Sequence, residues 1–386
     1  MIINHIVFLC VLLLPILFGC KKVDIGETEV NKITNPTITD YWNDKADWQL
    51  YYNQPILDWH AAAGTSVCVV NGTWYWFQRY FQLSQNSIQL GTECRKSINK
   101  GLTWSLPVKV IEPTSNSPWS KMATDGDFHY DTIANKWRCL FQSLGDSGEW
   151  TCSYVEREGA DPMGLFSSPP GFTNPAIDAK EIWSKIADDM DDDAVKLCGN
   201  KLNQIYDEGT PEIVLQEGNK FYVTFHGAAN IGLSVYGFRG IATTKDFQTY
   251  TPAAQDCIMD AFDSNEWNVS WQGDLNGNPG SIGVGAATYI KDGSYWYTLI
   301  EGADKSLIGT EGQNWTFGLL RSTSLTSTDW ENWQNNPVST FAPRGELLEW
   351  QYAKLFKDDS ITYCAINKAN PPPERSFRIY KLVWKK

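Results

Sequence analysis

An all-β fold is predicted by three features of this 386-residue sequence: runs that alternate apolar and polar residues, tight Gly and Asn turns between them, and little helical period. One unit recurs about five times at roughly 55 to 75 residues: an apolar run, a turn, a second run rich in Trp and Tyr, then a longer strand pair. That length fits four antiparallel strands with loops. Five such units predict a five-bladed β-propeller, in which radial packing protects the sheet edges. A β-sandwich is the competing architecture, but it does not predict a repeated two-strand signature.

"IVFLCVLLLPILFGC" is too short for a comfortable membrane span, and Leu17-Phe18-Gly19-Cys20 looks like a bacterial lipobox. Residues 1–20 are therefore expected to be a lipoprotein signal peptide, with Cys20 as the lipid attachment point. Residues 21–43 are polar, contain "TNPTITD" and show no period, which predicts a flexible tether. The propeller domain is expected over residues 44–386. Such a chain is exported and lipid-anchored in the cell envelope, at the outer membrane or surface of a bacterium.

The units follow in order. The first is "AGTSVCVVNGTWYWFQRYF" with "GTECRKSINKGLTWS", its "NGT" turn being a hairpin signal. The second is "TDGDFHYDTIANKWRCLFQSLG" with "EWTCSYVE", and the third is "DEGTPEIVLQEGNKFYVTFHG" with "VYGFRGIATTKDFQTYTP". The fourth is "GSIGVGAATYIKDGSYWYTLIEGAD" with "WTFGLLRSTSLTSTDWENW", and the fifth is "LEWQYAKLFKDDSITYCAINK" with "RSFRIYKLVW". "ADWQLYYN" near the start is expected to close the ring against the last strand. The one helix candidate is "PAIDAKEIWSKIADDM", between the second and third units. "SINKGLTWS" matches the Asp-box pattern with Asn99 in place of Asp, and "TTKDFQTYTP" and "STSLTSTDWENW" are looser relatives; such turns are folding devices.

The net charge of −13 sets the chain against nucleic acid and anionic lipid headgroups, since its field repels them. Membrane contact is expected through the lipid anchor only. Seven cysteines follow Cys20 without metal-ligand spacing and fall mostly on apolar strands, so they read as small buried hydrophobes. Cys139 with Cys152 is the one candidate disulfide, across neighbouring strands. The 18 tryptophans read mainly as inter-sheet filler. No cofactor is expected. The acidic run Asp188 to Lys196 offers oxygen ligands for calcium but lacks EF-hand order and reads as a solvated loop. "GDLNGNPG" reads as a loop over the pocket. Walker, dinucleotide and G-x-S-x-G signatures are lacking.

In a propeller the starts of the first strands and the ends of the second strands meet at one face. First-strand starts supply Asp58, His60 and Gly64, then Asp125 and Asp127, Glu208 and Glu212, Ser281, and Glu349 with Trp350. Second-strand ends supply Gln78, Gln142, His226, Glu301 and Asn367. The set is rich in carboxylates. Glycoside hydrolysis uses such a set: one acid protonates the leaving oxygen, and one carboxylate activates water or attacks. His60, Asp127, His226 and Trp350 are the candidate substrate contacts.

The combination resembles the five-bladed propeller glycoside hydrolases, most of all glycoside hydrolase family 43 (arabinofuranosidases, arabinanases and xylosidases), and more distantly families 32 and 68. The likeness covers most of residues 55 to 386 as architecture. It implies an acid Glu on blade three, carried by "EGTPEIVLQEGNKFYV" to Glu208, and a pKa-modulating Asp on blade two, carried by "TDGDFHYD" to Asp125. The family's base Asp on blade one falls at Gly64 here, so Asp58 and Glu301 stand as alternatives for base or nucleophile. The resemblance implies a hydrolase of a polysaccharide or oligosaccharide, with pentose-containing glycans such as arabinan or xylan favoured, and the lipobox-like N-terminal end adds the expectation of a lipid anchor. The alternatives are a glycan-binding surface lipoprotein without catalysis and, more weakly, a sialidase-like enzyme, for which no arginine cluster is visible at the first-strand starts.

Overall fold

The computed structural model describes residues 34–55, 66–84, 87–148, 150–177, 205–231, 234–254, 258–260, 284–303, 315–336, 338, 349–369 and 376–386. Cys20, Asp58, His60, Gly64, the acidic run, "GDLNGNPG" and most of the helix candidate lie outside them. Within them the chain is nearly all β, as the alternating runs predict.

The described helix, α1 (Ile38–Trp42), falls inside the expected tether and corrects its boundary, because the compact unit of the domain begins at Asn35. Five residues are too few to hold a helix by propensity alone. A capping box holds it: the Thr37 hydroxyl accepts from Asp40 N–H, and the Asp40 carboxylate accepts from Thr37 N–H at 2.9 Å. Ile38, Tyr41 and Trp42 are buried, and the Thr39 hydroxyl donates to Asp292 at 2.6 Å. The polar composition hid three apolar anchors.

Five consecutive antiparallel units follow β1 (Ala46–Pro55). The first holds β2 (Ser66–Val70), β3 (Thr73–Ser84), β4 (Ser87–Ser97) and β5 (Val108–Ile111); the second holds β6 (Met122–Asp131), β7 (Lys136–Leu144) and β8 (Trp150–Glu158). A single parallel bridge, Leu90 to Met122, links these two into one sheet. The third unit holds β9 (Ile205–Glu217), β10 (Lys220–Ile231) and β11 (Ser234–Thr244), with the short β12 (Tyr250–Pro252) and β13 (Met259–Asp260). The fourth holds β14 (Val284–Asp292), β15 (Tyr295–Ala303), β16 (Trp315–Ser322) and β17 (Glu331–Asn332). The fifth holds β18 (Glu349–Asp358), β19 (Ile361–Ala369) and β20 (Ser376–Trp384), and β1 pairs with β20 from Ala46 opposite Trp384 to Pro55 opposite Ser376. The expected pairing of the N-terminal strand with the last strand is thus found. The first strands β2, β6, β9, β14 and β18 pack beside one another in that order, and β18 packs beside β2.

Aromatic side chains fill the gaps between units. Phe77 stacks on Phe128 at 3.7 Å, Tyr154 on Phe247 at 4.3 Å, and Trp76 on Phe377 at 3.8 Å. Trp74, Trp137, Trp330 and Trp333 are buried in the same layers, which is the filler role expected of them. The β7–β8 register sets Cys139 opposite Val155 and Cys152 opposite Gln142, so the expected disulfide between the two is not formed across these strands. The Asp-box turn forms as its pattern predicts. Ser97 Oγ accepts from Gly101 N–H, Asn99 Oδ1 accepts from Thr103 N–H, and Trp104 packs edge-on against Trp76.

Candidate active site

Four of the first strands carry a β-bulge at the level where they converge. The ladder slips between Thr124 and Asp127 on β6, between Gly209 and Glu212 on β9, between Val284 and Ala287 on β14, and between Gln351 and Ala353 on β18. On three of these strands a non-glycine residue is driven to positive φ: Asp125 at 54°, Thr210 at 40° and Tyr352 at 62°. Such conformations cost about 1–3 kcal/mol each and concentrate where a side chain must be aimed. Glycines permit the close approach. A Cβ on Gly126 would stand 2.9 Å from Phe141 Cβ, and one on Gly209 would run into the Gln142 amide.

The bulges line a small cavity of about 30 Å³, whose polar wall is Ser66, Asp125, Asp127, Glu212, Tyr352 and Lys354. Asp125 sits at its upper level. Arg79 on β3 binds both Asp125 oxygens in a fork, and Tyr352 Oη donates to Asp125 Oδ2 at 2.8 Å while accepting from Arg79 at 2.9 Å. Burial opposes the Arg79 charge, but Asp125 and Tyr352 outweigh it and hold its pKa above the ordinary value. Burial and the Asp125 charge together keep the Tyr352 phenol protonated.

Asp127 and Glu212 form the floor with Lys354, whose Nζ donates to Asp127 at 2.6 Å and to Glu212 at 2.8 Å. The other Asp127 oxygen accepts Ile213 N–H at 3.0 Å and so ties β6 to β9. Burial lifts Glu212 to about 6, with Lys354 pulling against it and Asp127 adding to it. One consequence is that Asp127, expected as a substrate contact, has both oxygens engaged by the protein.

Glu301 enters from β15 between β14 and β18. It is only 4% exposed and accepts backbone N–H groups from Tyr352 and, at 3.3 Å, from Ala286. Burial pushes its pKa to about 8; the two N–H bonds oppose the rise and the Asp125 charge adds to it. Glu301 therefore holds a proton at neutral pH. His226 lies opposite Gly209 on one side and Arg239 on the other, and burial with the Arg239 charge pushes its pKa down to about 3. Glu208 is paired with Gly227 in the β9–β10 ladder, and Trp350 with Lys368 in the β18–β19 ladder; their side chains lie outside the described residues. Asp58 and His60 lie outside them altogether.

Four cationic or phenolic residues of the site escaped the sequence reading: Arg79, Arg239, Tyr352 and Lys354. Arg239 is fully buried and donates to Thr210 O and Oγ1, Thr224 Oγ1 and Gly285 O, fastening the β9 bulge to β14. A signal existed for Lys354 and Tyr352. Both fall on the alternate positions of "EWQYAKLF" that face the strand convergence, where a charge needs a partner. Among the described residues, no group of three or more His, Cys, Asp or Glu is placed to hold a metal ion.

No protein-family model and no curated protein matches the sequence. Solved structures match it over nearly the whole chain. A glycoside hydrolase superposes with a TM-score of 0.63 at 11% identity, covering 89% of this chain and 94% of that one. The fold is that of solved glycoside hydrolases. An endo-arabinase from Bacteroides thetaiotaomicron VPI-5482 matches with a TM-score of 0.51 at 11% identity over 88% of this chain and 98% of its own. An endo-1,4-β-xylanase from the same organism matches with 0.52 at 12% identity over 84% and 92%. At such identities the likeness is one of fold.

Proposed function

We propose that the protein is a glycoside hydrolase whose five strand units are the blades of a five-bladed β-propeller, acting on a pentose-containing glycan. The observation that carries the reading is the carboxylate-lined cavity at the bulged ends of the first strands, in a fold shared with glycoside hydrolases. The pentose preference is supported by the neighbours named for arabinan- and xylan-type substrates. Glu208 on β9 is the proposed acid, and Asp125, clamped by Arg79 and Tyr352, is its proposed electrostatic tuner. A group that keeps its proton up to about pH 8 is a poor base, so Glu301 is better suited to hold Tyr352 in place and the base role passes to Asp58. The chain is further proposed to be exported and lipid-anchored through Cys20.

Release of reducing sugar from a panel of arabinans, xylans and mannans tests the reading, with wild type, Glu208→Gln and Asp58→Asn side by side. Release by wild type that falls by about 10²-fold or more in each variant supports it. Undiminished release by Glu208→Gln removes Glu208 from the mechanism. Glycan binding without release by wild type replaces the enzyme with a surface capture protein, the outcome to which the glycine at position 64 points.

A further inference from the structure

Lys354 stands between two cavities. Above it lies the carboxylate-lined pocket, and below it, toward the turns joining the first and second strands, lies a second cavity of about 360 Å³ lined by Val67, Cys68, His129, Tyr130 and Phe356. Lys354 lines both. Its side chain enters from β18, and its ammonium meets Asp127 of β6 and Glu212 of β9, whose side chains are only 8% and 7% exposed. Three of the first strands thus share one cation. From β14 the Thr288 hydroxyl accepts Leu355 N–H at 3.1 Å and donates to Glu212 at 3.4 Å; from β2 the Ser66 hydroxyl donates to Asp127 at 3.3 Å. Two buried carboxylates facing each other without a cation would repel and stay desolvated, which is among the costliest arrangements a core can hold.

We propose that Lys354 is the resident cation of the pocket floor: it positions Asp127 and Glu212, plugs the axis between the two cavities, and thereby sets the register of β9, the strand that carries Glu208. The link to β9 runs through Asp127, whose second oxygen holds Ile213 N–H, and through Glu212 itself. The kinetic part of the proposal rests on the hydrolase reading; the plug and the charge balance do not. Removing the side chain to Cβ would join the cavities into a channel open from the lower face, with a carboxylate pair at its middle. A small alkylammonium ion has the charge and the width to enter it.

The test uses the full chain. Lys354→Met, which keeps the bulk and deletes the charge, is expected to lower the thermal midpoint by about 10 °C, and Lys354→Met combined with Asp127→Asn and Glu212→Gln to recover most of that loss. Lys354→Ala is expected to gain several degrees in about 50 mM propylammonium chloride and nothing in the same concentration of tetramethylammonium, while wild type responds to neither. On a glycan that wild type cleaves, propylammonium is expected to restore kcat of Lys354→Ala at least about tenfold with little change in KM. A triple variant no more stable than Lys354→Met would overturn the charge balance, and it can be read even where Lys354→Ala fails to fold. Equal responses to the two ammonium ions would overturn the plug. Wild type without any glycan cleavage would sink the hydrolase reading and leave the two stability arms to decide the rest.

Discussion

Replacing Glu301 by glutamine isolates the most displaced acid of the site. The native carboxyl keeps its proton to about 8, against an ordinary 4.5 for the unfolded chain, because it is buried beside Asp125 between β14 and β18. The folded state therefore binds the proton more tightly than the unfolded state, and stability falls as pH rises through the window from 4.5 to 8. Over the whole window the 3.5 pH units, at about 1.36 kcal/mol each, come to about 5 kcal/mol. Among the raised carboxyls Glu212 behaves the same way but only up to about 6, so between pH 6 and 8 Glu301 is the carboxyl that titrates, and it carries about 3 kcal/mol. Urea unfolding of wild type and Glu301→Gln at half-unit steps from pH 5 to 9 measures it. The stability difference between wild type and the variant is expected to change by about 3 kcal/mol between pH 6 and 8, wild type losing ground; the titration of His226, which raises the stability of both proteins up to its ordinary 6.5, cancels in that difference. Glutamine keeps an acceptor for Tyr352 N–H but turns a donor toward Ala286 N–H, which lowers stability at pH 5 by about 1 kcal/mol. Parallel stability curves for the two proteins from pH 6 to 8 would refute the reasoning, since they would mean that Glu301 is ionised or solvated in the fold.

Other expectations follow from the same contacts. Arg79→Met strands the Asp125 carboxylate and should cost about 3–5 kcal/mol by denaturant titration, whereas Arg79→Lys, keeping the charge without the fork, should lose about half as much. Tyr352→Phe removes one donor from Asp125 and should cost about 1–2 kcal/mol while lowering kcat on any glycan the protein cleaves; unchanged kcat would separate Tyr352 from the chemistry. Trp74→Ala empties the layer between the first and fifth units, where the indole meets Phe356 at 5.0 Å and donates to Asp358 at 2.9 Å, and should cost about 3–5 kcal/mol. The thiols of Cys94, Cys139, Cys152 and Cys364 are buried, and burial pushes Cys68 to about 12, so alkylation of the native protein at pH 8 should be slow at all five and fast in guanidinium.

Much of the fold was legible because it is written in local rules. Alternation, Asn-Gly turns and the Asp-box pattern each act within a few residues, and Ser97, Asn99, Gly101 and Thr103 make the bonds their pattern predicts. Helix α1 was missed because its stability comes from contacts with Asp292 and Tyr297, some 250 residues away in the chain, and not from its own composition. The disulfide candidate failed on register, a property set by both turns of a hairpin and invisible in the spacing of Cys139 and Cys152.

The site divides along the same line. Carboxylates stand out in a sequence because an acid at the end of an apolar strand has an obvious cost, and Asp125 and Asp127 at the start of β6 and Glu301 at the end of β15 are found on that ground. Their partners were not. Arg79 and Lys354 sit in the middle of strands, where a single basic residue looks like an ordinary outward-facing position until the strand directions are known. What turns the carboxylates into a graded set is which cation each one receives: Arg79 goes to Asp125, Lys354 is shared by Asp127 and Glu212, and Glu301 gets backbone N–H groups alone. The order of pKa displacement follows that allocation, with Glu301 lifted further than Glu212. The chemistry of the floor is thus decided less by where the acids lie in the sequence than by β3 and β18 delivering two cations to three of four acids, and a substitution that moved either cation to Glu301 would exchange the site's proton holder for an ordinary salt bridge.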